Sequence, residues 1–256
     1  MFEPITYYSV VGAMIVLAVI VFFALQRISA GYGMMYNNKW GPTVNNHLGW
    51  FLMESPVFFA MLLLWLLSPR REEPALIVMA SLFLLHYFQR SFLFPLLLRG
   101  KSRMPLAIMA SGIIFNLVNA YMIGGWLFYV SPADEYPVSW LWSPLFILGT
   151  LIFFAGMAIN LSSDRIIRHL RKPGDTRHYI PRGGMFRYVT SANYFGELTE
   201  WVGYAILTWS LGGLTFAIWT FANLAPRAKK LHRRYETEFG NDYTSLHRRF
   251  LIPFIY

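Results

Sequence analysis

Long apolar stretches alternate with short polar ones along almost the whole chain. A helix needs about 20 predominantly apolar residues to cross the hydrocarbon core of a bilayer, which is about 30 Å thick. Stretches of about that length recur, so the pattern predicts an all-α polytopic membrane protein with seven transmembrane helices. The predicted helices lie at about residues 7–27, 49–68, 74–97, 104–130, 140–164, 193–209 and 212–232.

The connections between these stretches are short. SPRREEP (68–74) and SPADEYP (131–137) combine proline with polar residues, as turns do, and SLGG (210–213) makes the last two helices neighbours. The first apolar run, 8–25, has neither a basic leading segment nor a small-residue cleavage site, so we expect a retained helix rather than a signal peptide. No internal repeat or linker interrupts the pattern, which predicts a single domain over 1–256.

The composition supports a membrane protein. Hydrophobic residues make up 56% of the chain, aromatic residues 18%, and the mean hydropathy is +0.42, outside the usage of soluble globular domains. The lack of cysteine excludes disulfides, thiolate catalysis and Cys-ligated metals. The six histidines form no HxxxH or HExxH group, so we expect no metal. The net charge of +9 fits basic cytoplasmic loops, so we expect no nucleic-acid partner.

Basic residues are strongly one-sided in this arrangement. Of the 22 lysines and arginines, 19 fall on one side of the seven helices, whereas Arg70 and Arg71 lie on the other and Arg90 lies within a helix. Cytoplasmic loops carry an excess of basic residues. The chain is therefore predicted to place its N-terminus outside and its C-terminus in the cytoplasm. The richest of the loops is 165–192, called the basic segment below.

Several polar side chains fall inside the predicted helices. A charged group at the centre of a bilayer costs about 2.5–3.5 kcal/mol, so each one needs a partner or a function. These polar residues are Glu54, Arg90, Asn160, Asp164, Asn193, Glu197 and Glu200.

Spacing groups some of these residues into stripes. Asn160, Asp164 and Arg171 are separated by four and seven residues, which places them on one helix face. The next helix repeats the arrangement with Asn193, Glu197 and Glu200. Two polar stripes therefore flank the basic segment.

We interpret the stripes and the arginines between them as a pocket for a large anionic ligand. Guanidinium groups bind phosphate through bidentate, charge-assisted hydrogen bonds. Neither GxGxxG nor GxxxxGK[ST] is present, so the pocket is neither a Rossmann nor a P-loop site. The alternative is structural: Asp164 pairs with Arg168 one turn later, and Asn193 and Glu197 form hydrogen bonds between helices.

Glu54 and Tyr87 come from adjacent predicted helices. A carboxyl group in an apolar pocket tends to stay protonated and can then donate a hydrogen bond, as a tyrosine hydroxyl can. Two such donors at one carbonyl oxygen would stabilise the enolate that forms when hydride adds to a conjugated enone. For Tyr87, ordinary interfacial packing is the alternative.

Four segments carry a resemblance to a known family. They are WFLMESP (50–56), HYFQR (86–90), GMAINLSSDRIIRHLRKPGDTRHYIPRGGMFRYVTSANYFGELTEWVGYAILTWS (156–210) and the tail EFGNDYTSLHRRFLIPFIY. Along nearly its whole length the chain resembles the steroid 5α-reductases. The 156–210 block is the most specific match, whereas the tail also resembles isoprenylcysteine carboxyl methyltransferases and membrane sterol reductases.

The resemblance implies a seven-helix membrane enzyme that uses NADPH to reduce the Δ4 double bond of a 3-oxo steroid. Glu54 and Tyr87 would hold the C3 oxygen while hydride reaches C5, and a proton would then arrive at C4. The excess of arginine predicts that NADPH is preferred over NADH. The residues implied for the cofactor are Arg99, Asn160, Asp164, Arg171, Tyr179, Asn193, Glu197, Arg227 and Tyr235.

The oligomeric state and the membrane of the protein are also predicted. We expect a monomer in the endoplasmic reticulum or a bacterial inner membrane, with the cofactor site facing the cytoplasm. Animal members of the family carry a run of histidines where this chain has only His232, so His232 is left out of the site. Two alternatives remain: a methyltransferase that uses S-adenosylmethionine, and a transporter, although transporters usually show repeats and broken helices.

Overall fold

A computed structural model describes residues 2–29, 31, 33–35, 38–99, 102–172, 175 and 177–256, and a helix occupies each of the seven predicted stretches. The helices are α1 (Pro4–Arg27), α2 (Asn46–Leu66), α3 (Pro74–Phe88), α4 (Phe94–Leu97), α5 (Leu106–Gly125), α6 (Pro144–His169), α7 (Ala192–Thr208), α8 (Leu211–Phe239) and α9 (Asn241–Thr244). Two π-helical segments continue helices: Gln89–Leu93 joins α3 to α4, and Trp126–Val130 extends α5.

Short elements fill some of the connections. Strands β1 (Thr43–Asn45) and β2 (Arg103–Pro105) pair antiparallel, with Val44 opposite Met104. This pair ties the start of α2 to the start of α5. The 3₁₀ turns are Gly33–Met35, Asn38–Trp40, Val138–Trp142 and Gly184–Arg187.

Among the residues that the structure describes, five helical segments are long and apolar enough to cross a membrane: Pro4–Arg27, Asn46–Leu66, Pro74–Leu97, Leu106–Val130 and Pro144–His169. The outer face of α1 exposes large apolar side chains such as Ile5 and Phe23, which suits contact with lipid. Helix α7 has 17 residues and carries a polar stripe, and the second half of α8 is charged. Seven crossings and their orientation therefore stay predictions. Lys101, one of the 19 basic residues on the predicted cytoplasmic side, lies outside the described residues.

Helices α6 and α7 pack backbone against backbone. A Cβ added to Gly156 of α6 would lie 2.2 Å from the backbone nitrogen of Glu200, and one added to Gly196 of α7 would lie 2.4 Å from that of Asn160. Gly149 and Gly203 continue the same seam one heptad away. Small residues let membrane helices approach this closely. The seam holds the polar stripes of α6 and α7 against each other.

Buried aromatic side chains fill the centre of the bundle. The rings of Trp201 and Phe216 lie 4.3 Å apart, and Phe83 lies 5.8 Å from Trp201. Tyr204 of α7 donates a hydrogen bond to the carbonyl of Met79 in α3 at 3.1 Å. These contacts fix α3 beside α7 and α8.

The spacing prediction for Arg171 is wrong. Helix α6 ends at His169, and Arg171 is exposed beyond its cap, so it does not share a helix face with Asn160 and Asp164. The reason lies in the sequence, because Lys172 precedes a proline, whose ring disfavours helical backbone in the residue before it.

Candidate active site

Glu54 lies in the middle of α2 and is only 9% exposed. Its carboxylate oxygen Oε2 accepts a hydrogen bond from Nδ2 of Asn116 at 3.1 Å. The same nitrogen also donates to the carbonyl of Met53 at 2.8 Å, which holds the amide in place. Asn116 thus holds the carboxyl group of Glu54 through one of its two oxygens.

Tyr87 lies near the end of α3 and is 3% exposed. Its hydroxyl oxygen accepts a hydrogen bond from Nδ2 of Asn119 at 3.1 Å. Because Asn119 donates in this contact, the hydroxyl hydrogen of Tyr87 is left to donate elsewhere. The Oδ1 atom of Asn119 is buried and has no hydrogen-bond partner within the described ranges.

One face of α5 contacts both Glu54 and Tyr87. Asn116 and Asn119 are three residues apart on α5, so their side chains lie on the same face. One holds Glu54 from α2 and the other holds Tyr87 from α3. Glu54 and Tyr87 are close enough to interact electrostatically.

Arg90 connects this pair to the polar stripes. It lies in the π-helical segment, and its guanidinium stacks 4.5 Å from the ring centre of Trp50 and 4.3 Å from that of Phe94. One nitrogen lies 3.9 Å from Oδ2 of Asp164 and another lies 3.7 Å from Oε2 of Glu197. The cation therefore faces carboxylates from both α6 and α7, and π-helical segments often occur at functional sites.

The facing stripes of α6 and α7 are joined by amide hydrogen bonds. Nδ2 of Asn160 donates to the carbonyl of Asn193 at 2.9 Å, and Nδ2 of Asn193 donates to Oδ1 of Asp164 at 3.2 Å. Such hydrogen bonds between helices are what we expect if the stripes have only a structural role. They do not use every polar atom, because Oδ2 of Asp164 and Nη1 of Arg168 are buried without a hydrogen-bond partner in the described part of the chain.

Glu200, the third residue of the α7 stripe, has a different environment. Its Oε1 lies 2.8 Å from Nδ1 of His86, and both side chains are buried. The His86 ring packs edge-on against Tyr87 at 5.0 Å. Glu200 thus anchors α3 to α7 beside Tyr87 rather than facing the basic segment.

The predicted residues Arg99, Arg171 and Tyr179 have contacts at the end of α6 or within the basic segment. Arg99 and Arg171 are exposed, and Nη1 of Arg99 donates to the carbonyl of Arg168 at 3.3 Å. Tyr179 lies within electrostatic reach of Arg171 and donates a hydrogen bond to Asp175. Hydrogen bonds from Arg177 and Tyr179 lower the pKa of Asp175.

A second small group lies between α7 and α8. Nε of Arg227 donates to the hydroxyl of Tyr194 at 2.8 Å. Tyr235 is buried, interacts electrostatically with Tyr194, and packs edge-on against Tyr243 at 5.3 Å. His232, left out of the predicted site, contacts the hydroxyl of Tyr243 at 2.9 Å.

Sequence reasoning missed Asn116, Asn119 and Tyr194, and it noted Arg90 without assigning it to the site. A signal for the two asparagines was present, because amides three residues apart within an apolar helix need partners as much as charges do. Tyr194 directly follows Asn193 but carries no signal of its own.

Comparisons with known proteins agree on one family. Residues 102–256 match the family model described as 3-oxo-5-alpha-steroid 4-dehydrogenase. The chain is similar to steroid 5-alpha-reductase of Arabidopsis thaliana, with 38% identity over 91% of this chain and 90% of the relative. It is 40% identical to 3-oxo-5-alpha-steroid 4-dehydrogenase 1 of Mus musculus, over 93% of this chain and 92% of the relative. The Homo sapiens protein of the same name is 42% identical over 74% of this chain and 71% of the relative.

Proposed function

This chain belongs to the 3-oxo-5-alpha-steroid 4-dehydrogenase family, and from that membership we propose that it reduces the Δ4 double bond of a 3-oxo-Δ4 steroid with NADPH. The observation that carries the proposal is the pair of buried donors, Glu54 and Tyr87, each held by an asparagine of one helix face. The substrate class we propose is planar and apolar, similar to testosterone or progesterone, and enters from the lipid.

Glu54 and Tyr87 act on the C3 carbonyl in this proposal. NADPH, when bound, supplies the hydride that adds to C5. As the double bond shifts, negative charge develops on the C3 oxygen, and the O–H groups of protonated Glu54 and of Tyr87 donate hydrogen bonds to it. Donors already in place cost little reorganisation as the charge appears, and each is typically worth about 10²–10³ in kcat. Protonation of C4 then restores the ketone.

The residues along α6 and α7 fit such a cofactor. Asp164 offers a buried oxygen without a hydrogen-bond donor in the described ranges, and Arg168 offers a buried nitrogen without an acceptor there. Hydroxyl and carboxamide groups can donate to the first, and a phosphate can accept from the second. Besides Arg168, the cofactor residues that we propose are Arg99, Asn160, Asp164, Arg171, Tyr179, Asn193, Glu197, Arg227 and Tyr235. Arg171 is exposed, so it suits the outermost phosphate, the 2′-phosphate.

The membrane arrangement belongs to the same proposal. Seven helices cross the bilayer, with the N-terminus outside and the basic segment in the cytoplasm, where NADPH is available. The membrane is the endoplasmic reticulum or a bacterial inner membrane, and the enzyme is a monomer.

Turnover by purified protein tests the proposal. NADPH consumption is followed in liposomes with testosterone, progesterone and a panel of non-steroid enones. We expect steroid-dependent consumption that Glu54→Gln lowers sharply while NADPH still binds, because an amide is a much weaker acid than a carboxyl group. Full activity in Glu54→Gln would contradict the assigned role. Protection from thermal unfolding by S-adenosylmethionine but not by NADPH would favour the methyltransferase instead.

A further inference from the structure

A cavity of ≈ 520 Å³ opens beside the C-terminal segment and shares no residue with the proposed steroid or cofactor site. Its walls come from the last part of the basic segment, from the end of α8 and from the tail. A bridge between Val189 and Arg249 joins the basic segment to the tail. The backbone nitrogen of Arg249 donates to the carbonyl of Tyr188 at 2.9 Å, and that of Thr190 donates to the carbonyl of Arg249 at 2.8 Å. The backbone therefore holds the cavity in shape.

The lining is strongly basic. Its cationic or ionisable nitrogen-bearing side chains are Arg187, His232, His247, Arg248 and Arg249. One carboxylate, Glu236, also lines the cavity, and its Oε1 lies 3.2 Å from Nε2 of His232. The cavity thus suits an anion.

Arg248 is the centre of this site. Its residue is only 8% exposed, and its Nε and Nη1 atoms have no hydrogen-bond partner within the described residues. Its guanidinium carbon lies 5.9 Å from the ring centre of Tyr243. Burial lowers the pKa of Arg248, which reflects the cost of holding a desolvated cation. Each of these two nitrogens can donate a charge-assisted hydrogen bond to an anion.

The rim of the cavity is apolar and lies close to the membrane helices. Phe254 and Ile255 are 77% and 78% exposed, and the ring of Tyr188 lies 5.5 Å from Phe254. The next residue, Tyr256, packs against Phe221 of α8 at 6.3 Å, in a cluster that includes Phe22 near the end of α1. Apolar side chains beside cations at the end of membrane helices are typical of contact with the lipid interface.

We propose that this cavity binds the phosphate of an anionic phospholipid headgroup, with Arg248 as the buried central contact. Arg187 and Arg249 add charge at the opening, and Phe254 and Ile255 insert among the acyl chains. The phosphate chemistry is shared with inorganic phosphate. The exposed apolar rim favours lipid, because a free ion gains nothing from it.

Lipid titration of the full-length protein in detergent tests this site. Native mass spectrometry compares dioctanoyl phosphatidylglycerol with dioctanoyl phosphatidylcholine on wild type, Arg248→Gln, Arg249→Gln and Arg165→Gln. Arg165 is an exposed control outside the cavity. We expect wild type to prefer phosphatidylglycerol and Arg248→Gln to weaken its binding roughly ten- to hundredfold. Arg165→Gln should match wild type.

The second variant keeps the test decisive. Because Arg249 is exposed, Arg249→Gln should fold even if Arg248→Gln does not, and it should weaken phosphatidylglycerol binding to a smaller degree. NADPH affinity should be unchanged in both. Equal binding of the two lipids, or full competition by inorganic phosphate at the same concentration, would overturn the assignment. A parallel loss of NADPH affinity would also overturn it, by moving Arg248 into the cofactor site. Lack of enone reduction by wild type would refute only the proposed function.

Discussion

We expect removal of the hydroxyl of Tyr87 to lower catalysis and folding stability by separable amounts. Tyr87→Phe retains the ring, which lies 4.7 Å from Phe83 and 5.8 Å from Trp201, so the packing of α3 against α7 should persist. Two things are lost: the proposed donor to the C3 oxygen, and the acceptor for Nδ2 of Asn119.

The two losses have different magnitudes. Loss of a preorganised donor to a developing oxyanion lowers kcat by about 10²–10³, or about 2.7–4 kcal/mol in the barrier. Asn119 is fully buried and its Oδ1 already has no hydrogen-bond partner within the described residues, so the change leaves both ends of its amide unpaired. A buried unpaired polar group costs about 1–3 kcal/mol of folding stability.

A double variant and a control assign these effects. Tyr87→Phe/Asn119→Leu replaces both partners by apolar groups and should recover most of the stability, whereas kcat should stay low. Tyr204→Phe removes another buried hydroxyl, the donor to Met79, and should lower stability without lowering kcat. The assays are steady-state NADPH oxidation with a 3-oxo-Δ4 steroid and thermal unfolding of the same samples. If Tyr87→Phe retained kcat within about threefold, or the double variant restored it, the donor role would be refuted.

Three further predictions test the surrounding structure. Gly196→Ala places a Cβ 2.4 Å from the backbone of α6, so we expect a lower unfolding temperature and weaker NADPH binding, whereas Gly12→Ala, which has open space, should change neither. Arg171→Ala should weaken NADPH binding more than NADH binding. An equal loss for both nucleotides would place Arg171 on the pyrophosphate. Arg165→Ala is the matched control and should leave the binding of both nucleotides unchanged. Arg90→Lys retains the charge but loses the stacked planar fork, so we expect the KM for NADPH to rise about tenfold; an unchanged KM would exclude Arg90 from organising the stripes.

Much of the helical architecture could be predicted from local pattern. Length and hydropathy placed a helix in each of the seven stretches, because a bilayer-length apolar run is a local property of the chain. Spacing also predicted that Asn160 and Asp164 share a face, as do Asn193 and Glu197, and the amide contacts of Asn193 confirm that the stripes meet. Spacing failed at Arg171, where periodicity was extended past the end of α6.

The partners of the polar residues could not be predicted in the same way. Nothing along the sequence says that Asn116 meets Glu54 or that Asn119 meets Tyr87, since these pairs are 62 and 32 residues apart. The partner of Glu200 could not be predicted from the sequence either. Glu200 lies on the same stripe as Glu197 but pairs with His86. A stripe defines a face of a helix, and the neighbouring helices decide what each part of that face meets.

By itself, then, the sequence determined the helical class, the family and the polar residues whose burial in a membrane costs free energy. Hydropathy, motifs and charge are properties of single residues and local runs, so they can be read without the fold. Only the tertiary structure decided which of those residues meet. The glycine seam lets α6 and α7 touch, α5 presents two asparagines to two other helices, and Arg90 reaches carboxylates of both stripes. Contacts between distant segments depend on how helix faces pack, and that packing is settled by the whole bundle at once.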